Sequence, residues 1–549
     1  MHQYLPQEAA ILNRILILVL FLLIGSSAGT QENRVVQASD VLAEIRAGQA
    51  AEFDYCTIVG DLDLSGLKVE KPVHFNFTTF QDTVNCNFAI FEGDAHFLHS
   101  VFDDLADFSH SEFNRTADFR SSEFSSIADF KSSNFNNDVY FGDTAFNDIV
   151  DFGHSHFNGN SRFRFTAFNG DADFSDSQFS GTADFSESTF NGDSDFSFSV
   201  FNGDAIFRFS IFKGDSNFWS STFNDIINFR RAIFKGNANF GGTDFNGIAN
   251  FLSSVFKGNA SFGASTFNNE VVFDYASFNS AADFGHSVFN NEVNFLYSIF
   301  NNTSIFNTAI FNKGANFNDA IFRGYTSFNG CQFKGDALFE SSIFKNRLSL
   351  TRIKCGYNTF IYIRLGNINE LEYDDAAYLF LLRNFKTLGY FEDYDHCYYQ
   401  YRTAHRAQGW PSSGNVEEWG RKLLDYPLQY FYGYGTRPFF ALFVSAILII
   451  IFGIFWRGLG LGGPHDITSK NLKPEQVWLN DDITSIMIFS ATVFLSGMKL
   501  FVDPPAIPNI EGRPRSTVKR LFIFERLMGM IFFVMFIIAW SGSVVRQLK

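Results

Sequence analysis

Ala172-Asp173-Phe174-Ser175-Asp176-Ser177-Gln178-Phe179-Ser180-Gly181-Thr182-Ala183-Asp184-Phe185-Ser186-Glu187-Ser188-Thr189-Phe190 is the stretch that decides the fold. Its phenylalanines stand at 174, 179, 185 and 190, so their spacing alternates five and six and the repeating unit is 11 residues. The same comb runs back through Phe168, Phe163, Phe157 and Phe152 to Phe75, with Cys86 as its one exception, then weakens through Val69, Leu64, Ile58 and Phe53. Forward it is unbroken to Phe344 and fades through Leu350 and Cys355. A chain of 549 residues with 74 Phe, 6 Met and 11 Pro refills one structural position over and over, which points to a repeat array.

Two positions before most of these phenylalanines sits a small residue, as at Ala172, Ser177, Ala183, Ser188, Ser194 and Ser199. Residues i−2 and i therefore point the same way, as they do in an extended strand. The intervening Asp, Asn, Ser, Gly and Lys suit a solvated wall and turns. A helix would need apolar spacings of three and four, so an α-solenoid is disfavoured and a parallel β coil remains. Its interior is expected to be phenylalanine columns, with Phe108, Phe152, Phe174, Phe185, Phe240 and Phe284 among the core residues. The six-residue intervals carry Asn169-Gly170-Asp171 and Asn191-Gly192-Asp193, where Asn-Gly is expected to supply a positive φ at the longer corner. About 14 coils at roughly 4.8 Å each are expected.

Strings such as Ala172-Asp173-Phe174-Ser175-Asp176 and Ala183-Asp184-Phe185-Ser186-Glu187 resemble the pentapeptide-repeat family. The resemblance covers about residues 53–360 and implies a right-handed quadrilateral β-helix, an all-β solenoid with five residues per face. This chain departs from that pattern by one added residue at every second corner, so two units of 11 would close one four-sided coil.

The net charge of −16 argues against a nucleic-acid partner, since phosphate binding needs clustered Lys and Arg. Asp107, Asp118, Asp129, Asp151, Asp173, Asp184 and Asp195 recur at multiples of 11. Such a ladder could bind calcium, but the solvated acidic stripe is the favoured reading, because Asn217, Asn228, Asn239 and Asn250 replace it in later coils. His154 and His156 lack a third ligand, and Cys56, Cys86, Cys331, Cys355 and Cys397 have no CxxC spacing, so no metal site, cofactor or disulfide framework is expected. No nucleophile elbow or phosphate loop is present in the sequence, so the chain is not read as an enzyme. Asn76, Asn114, Asn259 and Asn302 head glycosylation sequons, a weak signal in an Asn/Ser-rich repeat.

At the N-terminus, Arg14, the apolar run Ile15 to Ile24 and the small residues Gly25 to Gly29 read as a signal peptide over residues 1–29, or else an uncleaved anchor. Val36 to Ile45 reads as a short amphipathic helix beginning at Ser39 or Asp40, the N-terminal cap within 36–52, followed by the β-helix over 53–366. Residues 367–432 are read as a helical hairpin around Gly389 and an interfacial linker rich in Trp and Tyr; the hairpin is expected to cap the rod rather than rest on the bilayer.

Phe439 to Trp456 and Leu527 to Val545 are uncharged and bracketed by arginines, and both are long enough to cross a membrane. The pore-like module is placed at 433–549, with helices over about 438–457 and 521–545 and a re-entrant or short segment over about 483–500. Two helices flanking a short apolar one resemble the two-helix pore domain of potassium-channel-type proteins. Phe489-Ser490-Ala491-Thr492-Val493-Phe494 resembles the pore helix, and Glu525-Arg526-Leu527-Met528-Gly529 resembles the start of the inner helix. The Thr-Val-Gly-Tyr-Gly filter is missing: the matching stretch runs Leu495-Ser496-Gly497-Met498-Lys499-Leu500. Tyr432-Gly433-Tyr434-Gly435 precedes the first helix and is discounted. The pore-like residues are then Ser490, Thr492, Phe494, Ser496, Gly497 and Lys499.

The resulting expectation is a multi-pass membrane protein with an extracytoplasmic rod, its partners being the lipid bilayer, further copies of itself through the helices, and a protein on the rod wall. Its function is expected to be ion-channel-like without potassium selectivity; the alternative is a structural or adhesive surface protein in which the helices only anchor. The DNA mimicry known among acidic pentapeptide-repeat proteins is disfavoured by the membrane helices.

Overall fold

The computed structural model describes residues 34–408, 416–461, 483–498, 502–508, 510 and 512–548; the expected signal peptide and Lys499 lie outside them. Two compact units are present, one ending at Arg347 and taking in Lys354–Tyr362, the other made of Leu348–Ile353 and the chain from Ile363 onward.

The first unit is a parallel β-solenoid of about 15 turns. Among the strands from Arg34 to Cys355 the pairings are parallel and advance by 22 residues: Ala172 lies on Ser194, Phe179 on Phe201 and Ala183 on Ala205. One sheet takes two strands from each coil and two others take one each, so a coil has four sides and consumes two 11-residue units. Four phenylalanines per coil point inward. Phe108, Phe152, Phe174, Phe185, Phe240 and Phe284 are all fully buried. Along a column the rings stack in parallel, 4.8 Å apart and 1° from coplanar for Phe174 and Phe196. Across the interior they meet edge to face, as Phe174 and Phe185 do at 5.3 Å and 88°, the arrangement favoured by ring quadrupoles.

The small inward positions are of two kinds. At the five-residue corner a Ser or Thr hydroxyl donates to the phenylalanine carbonyl of the coil before: Ser155 to Phe130 and Ser177 to Phe152 at 2.7 Å, Thr243 to Phe218 at 2.6 Å. Cys331 does the same with its thiol toward Phe306. At the opening strand the small residue is usually Ala, and a hydroxyl there finds at best a long bond, as Ser216 does to the Asn237 carbonyl at 3.3 Å. Ser161 and Ser194 occupy that alanine position, and their buried hydroxyl oxygens have no partner. Ser194→Ala is therefore expected to stabilise the chain by about 1 kcal/mol, whereas Ser177→Ala is expected to destabilise it by about 1 kcal/mol. Thermal unfolding of the two variants side by side checks the opposite signs.

The corners correct the expectation for Asn-Gly. Gly170 and Gly192 do not take positive φ. Positive φ falls instead in the five-residue corner, two residues after the phenylalanine, at Asp176, Glu187, Phe198 and Phe209 among others. Gly192 is needed for space: a Cβ there would lie 2.6 Å from the backbone carbon of Gly170 one coil below. The left-handed residues stack on one another outside the barrel, as Tyr55, Phe77 and His99 do at 4.8 and 4.7 Å, which offsets part of the roughly 1–2 kcal/mol each conformation costs.

The acidic ladder also has a local explanation. Asp107, Asp129, Asp151, Asp173 and Asp195 stack in register, while Asp118 lies on Tyr140 and Asp184 between Arg162 and Ile206. Asp173 accepts from the Ser175 N–H and Asp195 from the Ser197 N–H, both at 2.8 Å, and Asn239 accepts from the Gly241 N–H at 3.0 Å. The position needs a short side-chain acceptor for its turn, so Asn replaces Asp without compensation. Among the described residues no group of three metal-ligating side chains is close enough to hold an ion.

Burial, and after it the like charges of Asp107 and Asp151, raises the Asp129 carboxyl above its usual range. A carboxyl raised in the folded state contributes stability that is present below its unfolded value of about 3.9 and is lost as pH rises through the folded value. Asp129→Asn is thus expected to melt higher than the parent at neutral pH, by about 0.5 kcal/mol after solvent screening, and the gap should close on acidification toward about pH 4. Melting curves at several pH values test this.

The N-terminal end differs from expectation in detail. Arg34–Gln37 is a strand that pairs with Cys56–Val59, and the helix α1 (Ala38–Arg46) starts directly after it. Val36 therefore belongs to the rung, and Ala38, Val41 and Ile45 are the buried side of the helix.

In the second unit, α2 (Asp375–Leu388) begins at Asp374, whose carboxylate accepts from the Ala377 N–H. It ends at Gly389 with φ 73°, and α3 (Phe391–Ala407) folds back on it. Next come α4 (Val416–Tyr432), a short turn at Gly433–Gly435, α5 (Pro438–Leu459), α6 (Ile483–Leu495) and α7 (Arg515–Leu548). The helix expected over 521–545 starts earlier because Pro514, just ahead of its first turn, suits a helix entry.

Candidate functional site

α5 and α7 are long and apolar enough to cross a membrane. α6 has 13 residues, about 20 Å at 1.5 Å per residue, and is continued by one tight turn at Ser496–Met498. It packs between the two long helices. Ile486, Phe489 and Val493 meet Phe452 and Trp456 of α5 and Val518 and Phe522 of α7. Leu461, Ile507 and Ile510 join the same cluster. Ile507 and Ile510 thus lie at the end of the helix pair at which α6 begins. Farther along, Phe494 meets Ala441 and Phe532.

Glycines set the closeness of this packing. A Cβ at Gly529 would fall 1.9 Å from the Phe494 carbonyl oxygen, and one at Gly497 2.6 Å from the Arg526 carbonyl oxygen. α6 and α7 touch backbone to backbone. The Arg526 guanidinium donates to the Ser496 carbonyl at 3.2 Å, a cation at the C-terminal end of a short helix.

At the centre lies Glu525, wholly buried. Trp456 Nε1–H of α5 donates to Glu525 Oε2 at 2.6 Å, and the Ser490 hydroxyl of α6 bonds to Glu525 Oε1. The same hydroxyl lies 2.8 Å from the Ile449 carbonyl of α5. One carboxyl therefore ties three helices together, and a buried carboxyl between apolar helices is retained only where such partners hold it.

Of the pore-like residues, Ser490 belongs to this node and Phe494 is buried against α5 and α7. Thr492 donates to Ile488 of its own helix, and Ser496 to Val493. Gly497 abuts α7, and Lys499 is outside the described residues. Tyr434 sits in the turn before α5 with φ 55° and donates to Asp425 at 3.1 Å. Glu525 was read from sequence only as the start of the inner helix and Trp456 only as the end of the first apolar span; neither was given a role in a site. The available signal was a lone carboxylate two residues ahead of the apolar run that begins at Leu527.

Residues 108–156, 152–200, 174–222, 229–277 and 273–321 match the family described as Pentapeptide repeats (9 copies). No curated protein matches the chain, and no solved structure does. The solenoid thus carries pentapeptide repeats over residues 108–222 and 229–321, and it is followed by two helices long and apolar enough to cross a membrane.

Proposed function

We propose that this pentapeptide-repeat chain is an integral membrane protein whose α5, α6 and α7 assemble with further copies into a pore-like core that does not select potassium, and whose β-solenoid serves as an extracytoplasmic scaffold. The observation that carries the reading is the path of the chain after α6. The backbone of Val502–Pro508 is non-helical, and Ile507 and Ile510 lie beside Leu461, at the opposite end of α6 from Phe494. Non-helical backbone at membrane depth is tolerated only where protein or water covers it, and further copies around a wet axis would supply both. Arg457, Arg513, Arg515, Lys519 and Arg520 lie toward the end where α5 finishes and α7 begins, which the positive-inside rule would place in the cytoplasm.

The alternative, that the helices only anchor the solenoid, draws support from Ser490, Thr492 and Ser496, whose hydroxyls are spent within the helix trio. Purified full-length protein in planar bilayers separates the two. Conductance that is not potassium-selective and changes its ion preference with Lys499→Gln supports the pore; folded, oligomeric but silent protein leaves the anchor.

A further inference from the structure

α4 is built inside out. Asp425 and Gln429 are 8% and 6% exposed, while Leu423 and Leu424 are 68% and 63% exposed on the same helix. Such a helix suits a surface on which apolar chains, not water, cover the outer face. Its buried polar side meets α3. Arg402 pairs with Asp425 and lies 4.9 Å over the Tyr434 ring. Arg437, the residue before α5, lies 4.0 Å over Tyr399, whose ring is 6.0 Å from that of Tyr434. Arg406, one turn beyond Arg402, lies 4.4 Å over Tyr426. Its Nη1 is buried without a hydrogen-bond partner, and so is Gln429 Oε1. Asp425 is paired with Arg402, not with Arg406, and burial together with the Asp425 charge pushes the Tyr434 hydroxyl up to about 12. A buried guanidinium nitrogen without an acceptor is costly and calls for an anion to complete it.

We propose that Arg402, Arg406 and Arg437 form a headgroup site for an anionic phospholipid, whose phosphate accepts from Arg406 Nη1 and whose acyl chains lie along Leu423 and Leu424. A planar guanidinium fork matches phosphate oxygens, and the start of α5 is the level at which headgroups sit. The site rests on membrane insertion of α5 and is independent of conduction.

The test uses the full chain in detergent, titrated with phosphatidylglycerol, phosphatidylcholine or inorganic phosphate and read by native mass spectrometry and melting. Phosphatidylglycerol is expected to bind at least about tenfold tighter than phosphatidylcholine and to resist displacement by phosphate; Arg406→Gln should weaken it about tenfold, the loss of one charge-assisted bond, with lipid-free melting no lower than the parent's, since an unpartnered buried nitrogen is removed. Equal binding of the two lipids, displacement by phosphate, or unaltered binding by Arg406→Gln would overturn the site. Release of the protein from native membranes by alkaline carbonate would instead overturn the membrane reading beneath it.

Discussion

Replacing Gly529 with leucine will force apart and strongly destabilise the C-terminal helix trio while leaving the solenoid folded. The new Cβ would stand 1.9 Å from the Phe494 carbonyl oxygen and 2.7 Å from its carbon. Both are backbone atoms, so no rotamer change relieves the overlap, and α6 must move away from α7. That movement pulls Ser496 from Arg526 and Ser490 from Glu525. Overpacking costs about 1–3 kcal/mol, and stripping a buried carboxyl of a partner costs about 1–3 kcal/mol more. Against a whole-domain stability of about 5–15 kcal/mol, a loss of about 2–6 kcal/mol removes a large share of the margin, so the trio is expected to melt well before the parent. Gly529→Ala carries the same Cβ and is expected to fall nearly as far. Gly458→Ala, at a glycine of α5 with open space around it, is expected to be neutral. Melting of the full chain, with near-UV dichroism for the Trp456 environment and far-UV dichroism for the solenoid, distinguishes these outcomes. A Gly529→Ala variant that melts with the parent would show that the two helices do not approach so closely.

The contrast between the two units explains what could be seen in advance. The solenoid was legible because one position, the inward phenylalanine, is read out again every five or six residues, and periodicity survives any single exception such as Cys86. The corners were misread because Asn-Gly is the usual carrier of positive φ, whereas here Phe198, Phe209 and Tyr275 bear it. Stacking with the neighbouring coil, as between Tyr275 and Tyr297, overrides the local preference, and that is a relation between residues 22 apart. In the helical unit, lengths and apolarity were visible, but the node at Glu525 was not, since its partners Trp456 and Ser490 stand 69 and 35 residues away. Nothing local distinguishes a carboxylate that begins a helix in water from one that clamps three helices.

Phe240→Asp is the corresponding test of the solenoid, and its expected result is a local break. Phe240 is fully buried, stacked at 4.8 Å on Phe218 and 4.9 Å on Phe262, with Phe229 and Phe251 edge-on at 5.4 and 5.5 Å. A carboxylate there loses those contacts and has no cation to meet it inside a column of rings, so more than about 4 kcal/mol is expected, against about 3–5 kcal/mol for the cavity left by Phe240→Ala. In a globular core either change would threaten the whole fold. Here each coil touches only the coils on either side, so the stability is a sum of nearest-neighbour terms and the damage should stay near its source. Hydrogen exchange of the full chain is expected to show lost protection at the rungs of Phe218, Phe240 and Phe262. The rungs of Phe108 and Phe152 should keep theirs. Uniform loss along all the rungs would mean that the phenylalanine columns act as one cooperative unit, and the nearest-neighbour account would then fail.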